Sequence, residues 1–165
     1  MAARCAALIL AGLFAFGGCA SNGNALDGSI GLIFPLSFQK TKVLVYLDRG
    51  IQILYVTPIS GSTEEQQAVN LFVDNSGVSI AQEVPIDLVQ HGTIRRFGIV
   101  KDSSGGSQED RRPFPAIQTG SIVFHTFTLT PGNVMAGQFQ IIFATGDTLL
   151  GDFSAPLEVG DPTNL

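Results

Sequence analysis

The 165-residue sequence has no tryptophan, two histidines and two cysteines, and both cysteines, Cys5 and Cys19, fall within the first nineteen residues. A chain with so few thiols makes no internal disulfide beyond that point. His91 and His125 are the only imidazoles, and neither a His-x-x-His nor a Cys-x-x-Cys spacing is present, so a preformed zinc site has no support. Charge is scarce as well: 14% of residues are charged, with nine Lys and Arg against fourteen Asp and Glu. A net charge of −5 is the wrong sign for a phosphate-binding surface and argues against a nucleic-acid partner. The Gly-x-Ser-x-Gly elbow and the phosphate-loop pattern are both missing, so hydrolase and nucleotide chemistry lack their motifs. The expectation is a protein without catalytic residues, metal or cofactor. No apolar run reaches the roughly 20 residues of a spanning helix.

What is present begins with an address. Arg4 gives the first residues a positive charge, residues 6–16 form the apolar run AALILAGLFAF, and the small residues Gly17-Gly18-Cys19 follow. This is the order of a secretory signal, assigned here to residues 1–18. Where Gly17-Gly18 meets Cys19, the segment resembles the lipobox of bacterial lipoproteins, with Phe16 where the family has an aliphatic residue. The resemblance implies that Cys19 is diacylated on sulfur, becomes the new N-terminus and is then N-acylated. The partner so implied is a membrane, reached through N-terminal acyl chains. Ala20 stands where an Asp would mark inner-membrane retention, which implies the outer membrane of the cell envelope. The alternative is ordinary cleavage after Ala20, since Gly18 and Ala20 satisfy the small-x-small rule.

The body reads as strands and turns. Residues 19–28 are polar, with Gly and Asn, and read as a flexible tether; residues 29–165 read as one domain. Apolar, β-branched and Phe-rich runs at 29–34, 43–47, 51–56, 68–74, 86–89, 97–101, 121–130, 137–144 and 149–157 alternate with Gly, Pro, Asn and Asp. This punctuation predicts an all-β fold, an antiparallel β-sandwich that is immunoglobulin-like or jelly-roll-like. At most one short helix is expected, near Ser62, where Ser62 and Glu65 have capping-box spacing. The last two runs predict a hairpin whose inner face carries Phe139, Phe143 and Phe153. Val123, His125 and Phe127 share one face of the run before it, so His125 reads as a hydrogen-bonded core or rim histidine.

Three further features carry weak chemistry. Arg95, Arg96, Lys101, Arg111 and Arg112 cluster with Asp102, Glu109 and Asp110 around Ser103-Ser104-Gly105-Gly106-Ser107. That segment reads as a solvated mixed-charge loop, with an anion-binding loop as the functional alternative. Ser37 and Lys40 match the Ser-x-x-Lys of penicillin-recognising enzymes, but the partner motifs are missing and the local pattern is strand-like. Asp147 and Asp152 flank the final hairpin and read as solvated turn carboxylates rather than a calcium loop.

Gly137, Phe139 and Phe143, then Gly146-Asp147, Leu149, Gly151, Phe153 and Ala155-Pro156, resemble a pattern that closes many uncharacterised lipoproteins of myxobacteria and related bacteria. Leu157 and Glu158 stand where those relatives often have a cysteine. The resemblance implies an all-β exported domain. Together these readings predict a lipid-anchored envelope lipoprotein that is a non-enzymatic binding or structural module, with an envelope protein or glycan as its further partner. The alternative is a surface hydrolase or carbohydrate-active module with dispersed catalytic residues.

Overall fold

The computed structural model describes residues 23–47, 49–101 and 106–161. Ten strands dominate it: β1 (Ala25–Asp27), β2 (Lys40–Tyr46), β3 (Gly50–Pro58), β4 (Glu65–Asp74), β5 (Ile86–Asp87), β6 (Gly92–Lys101), β7 (Ser107–Asp110), β8 (Ile117–Thr126), β9 (Val134–Phe143) and β10 (Thr148–Val159). A 3-10 turn at Ser29–Leu32 and a one-turn helix α1 at Leu88–His91 complete the described elements. The fold is all-β, as the composition predicts.

The strands form one sheet in the order β5-β8-β9-β10-β2-β3-β4-β6-β7, with β1 also on β10. β10 is the joint. Its first part pairs antiparallel with β9 and, on the other edge, with β1, while Leu157–Val159 run parallel to Val43–Val45 of β2. That parallel pairing makes the sheet mixed, which corrects the expectation of a purely antiparallel one.

The sheet curls until its inner face meets itself. Tyr55 of β3 lies 6.2 Å from the Phe139 ring of β9, and its hydroxyl donates to the Asp152 carbonyl of β10 at 2.8 Å. Val43, Ile53 and Leu71 from one side and Phe124, Phe143 and Phe153 from the other enter a single apolar core. Alternation explains the pattern along β9 and β10, where every second residue is buried. Phe139, Phe143 and Phe153 all point inward as predicted.

Several local expectations give way to tertiary context. The run 29–34 is not a strand: Ser29–Leu32 form a 3-10 turn, because Gly28 takes φ 129° and Ile30 and Phe34 bury one helical turn apart. No helix forms at Ser62. Its hydroxyl accepts from the Glu64 amide at 3.0 Å, and the chain re-enters the ladder at Glu65, opposite Pro58. The helical turn lies instead at Leu88–His91, within the run expected as a strand, where Asp87 caps the Val89 amide at 2.8 Å. Ala25–Asp27 of the expected tether are paired as β1. On β8 the inward residues are Ile122 and Phe124, not Val123 and His125, and a register shift between Phe124 and Thr126 restarts the alternation.

Candidate functional site

The most strongly built polar cluster sits where β6 and β7 pair. Gly98 opposes Asp110 in that ladder, and a Cβ at Gly98 would fall 3.1 Å from the Arg96 guanidinium, so the glycine leaves that guanidinium its space. The Arg96 and Asp110 side chains are only 4% and 5% exposed, and their Nη1 and Oδ2 atoms stand 2.9 Å apart. Nη1 is not aligned there as a hydrogen-bond donor, and Arg96 Nε has no partner among the described residues. Arg112 completes the set from outside: its Nε and Nη2 donate to the two carboxylate oxygens of Asp110, each at 2.9 Å. This is the forked geometry that suits guanidinium and carboxylate.

Aromatic rings fasten the cluster to the core. Arg96 lies 4.6 Å and Arg112 5.1 Å from the Phe34 ring centre, Phe34 meets Phe114 edge-on at 5.3 Å, and Phe114 stacks on Phe143 at 5.5 Å. The hydrogen bond from Arg112, with help from Arg96, holds the Asp110 carboxyl well below its ordinary range despite burial. Asp110 is therefore ionised at neutral pH and accepts hydrogen bonds without exchanging protons. Arg96 and Asp110 form a charged strut away from water, while Arg95, Glu109, Arg111 and Arg112 of the same segment are exposed as expected and residues 102–105 lie outside the described residues. The signal was present as the alternation Ile94, Arg96, Gly98, which puts one cation on an otherwise apolar face.

A second polar array lies on the outward face of β8, β9 and β10. Because Phe139, Ile141 and Phe143 point inward, Gln138, Gln140 and Ile142 point out. Gln138 and Gln140, with Ser121 of β8 and Leu150 and Asp152 of β10, line a groove of about 330 Å³. A neighbouring depression of about 380 Å³ adds Thr119, Ile142 and Thr148. Two amides, a hydroxyl and a carboxylate between aliphatic side chains can hydrogen-bond a polar ligand laid across the sheet.

The other residues singled out in the sequence are scattered. His125 is exposed and meets Glu83 at 3.1 Å. His91 ends α1, and its charge is a minor influence on Asp74, whose carboxyl is lowered chiefly by the Ser76 hydroxyl. Ser76 thus faces a carboxylate whose lowered pKa makes it a weak proton acceptor, a poor arrangement for activating a nucleophile. Ser37 is exposed in the irregular segment before β2, and Lys40 is exposed at its start. Asp147 accepts from the Ser29 and Thr145 hydroxyls at 3.2 and 2.7 Å, which ties the final turn to the 3-10 turn. Among the described residues no group of three or more His, Cys, Asp or Glu is placed to hold a metal ion. Cys19 and the signal lie outside the described residues.

The chain matches no family model, no curated protein and no solved structure. Among the described residues no helix is long and apolar enough to cross a membrane.

Proposed function

We propose that the protein is a bacterial envelope lipoprotein, exported by residues 1–18 and acylated at Cys19, whose β-domain is a non-enzymatic binding or structural module. The observation that carries the reading is the run AALILAGLFAF-Gly-Gly-Cys, followed by a sequence with no further cysteine. A lone thiol at that junction makes sense as an acylation site and not as a staple. Three acyl chains at about 0.8 kcal/mol per buried CH₂ hold a domain at a bilayer far more firmly than one chain does. The outer membrane is the proposed location, on the strength of Ala20.

In this reading the two halves of the curled sheet stack as a sandwich, and the groove over β8, β9 and β10 is the binding face. Its amides and hydroxyls suit an envelope glycan or protein. Support comes from Gln138 and Gln140, which stand exposed beside the exposed aliphatic residues Ile142 and Leu150.

Expression in a lipoprotein-competent bacterium with a labelled fatty acid tests the anchor. The wild type takes up label and Cys19→Ala does not. Equal labelling of the two would sink the reading.

A further inference from the structure

The direction in which the chain enters the domain is set by pairing. Ala25, Leu26 and Asp27 oppose Asp152, Gly151 and Leu150, and the Ser154 amide donates to Asn24 Oδ1 at 2.6 Å. Followed backwards from Asp27 to Asn24, the backbone climbs β10 from Leu150 to Ser154, toward the Val159 end of the sheet.

That end is apolar. Leu47 after β2, Leu129 after β8 and Val159 of β10 are 72%, 57% and 60% exposed. Leu47 and Leu129 rim one depression of about 350 Å³, which Val78, Ile80 and Phe127 help to line. Val159 is paired with Val45, two residues before Leu47. Among the described residues the charges around its rim are the exposed Arg49, Glu158 and Asp161 and the half-buried Asp74, so the patch has no basic excess, and its contact with a bilayer would rest on its apolar side chains. The opposite end carries the Arg112 fork and the exposed Arg111–Glu109 pair beside the adjacent exposed residues Leu32 and Ile33.

We propose that the Leu47, Leu129 and Val159 end of the domain rests on the lipid bilayer, with Leu47 and Leu129 dipping into the interface. The inference rests on acylation at Cys19. Six residues lead from Cys19 to Ala25, and at no more than about 3.5 Å each they span about 20 Å. The rise of β10 from Asp152, opposite Ala25, to Val159 is about 23 Å at roughly 3.3 Å per residue. An acylated Cys19 therefore comes to about one residue short of the level of Val159 when the tether runs on fully extended in the direction the chain already points, and that brings the apolar end to the lipid. Exposed aliphatic side chains around an apolar depression suit the boundary between headgroups and acyl chains.

The absence of native tryptophan makes the orientation readable. Leu47→Trp, Leu129→Trp and Leu32→Trp are made singly in the full-length protein and reconstituted in vesicles of phosphatidylethanolamine and phosphatidylglycerol, with fatty-acid label at Cys19 measured in the same samples. Leu47→Trp and Leu129→Trp shift their emission to the blue and are quenched by brominated acyl chains, while Leu32→Trp is not. Labelled protein in which Leu47→Trp and Leu129→Trp both emit as in water overturns the docking and leaves the anchor standing. Quenching of Leu32→Trp in their place overturns it in favour of the opposite end. Absence of label refutes the anchor and the docking together.

Discussion

The ring of Phe139 covers Gly151, its direct partner across β9 and β10. A Cβ on Gly151 would fall 2.3 Å from Phe139 Cζ, and one on Gly137 would fall 2.8 Å from Cζ of Phe153, its own cross-strand partner. The two strands thus trade ring for glycine in opposite directions at successive inward rungs. Both rings lie flat in the core without forcing the curled sheet open.

Gly151→Ala tests this arrangement, because the new methyl has no room. Overpacking of this kind costs about 1–3 kcal/mol, and the loss should shrink in a Phe139→Leu background, where the obstructing ring is gone. Thermal melts of the two single variants and the double variant measure the coupling. Strictly additive losses would show that the ring does not depend on the glycine.

Phe153→Ala should be more damaging. The side chain is buried and meets the Phe124 ring at 5.6 Å. Truncating a buried Phe costs about 3–5 kcal/mol, out of the roughly 5–15 kcal/mol that holds a domain together. A melting temperature within about two degrees of wild type would contradict the placement.

The Asp110 fork predicts acid sensitivity with a defined sign. Its guanidinium partners lower the Asp110 carboxyl in the folded state, so the unfolded chain takes up a proton first as the pH falls. The stabilisation is full above the ordinary aspartate value of about 3.9 and drains away below it, as the pH descends toward the folded value. Asp110→Asn should lose about 3–5 kcal/mol at neutral pH, because Arg96 is left buried without its counter-charge. The variant should also show a shallower decline below about pH 4 than wild type. Denaturant melts across that range decide it, and parallel curves would rule out Asp110 as the group responsible.

The parts legible in the sequence are those where one face alone is buried over a long, unbroken alternation. Phe139, Phe143 and Phe153 lie on such stretches, and their inward direction follows from period two. The misreadings share a cause, which is that pairing partners set the outcome. Val123 and His125 have the right spacing for a core face, but Ile122 and Phe124 are the residues paired with the inward Phe139 and Gly137 of β9, and they lie inside instead. Residues 29–34 are apolar enough for a strand, yet Gly28 turns the backbone and the Ser29 hydroxyl docks on Asp147, 118 positions away. Arg96 and Asp110 were grouped by charge, but only the β6–β7 ladder shows that they face each other away from water. The outward groove was half legible, since Gln138 and Gln140 follow from the same alternation, while Ser121 and Asp152 join them only through strand order.

The position of β10 also bears on when this domain can form. Nine strands precede it along the chain, yet it is the strand that hydrogen-bonds β9 on one edge and β1 and β2 on the other. A chain emerging from its N-terminal side holds two half-sheets, β2-β3-β4-β6-β7 and β5-β8-β9, with no ladder between them and an open edge on each. Closure waits for residues 148–159 and for contacts of large sequence separation. Such a chain stays open until its last strand is made, and it closes in one late step.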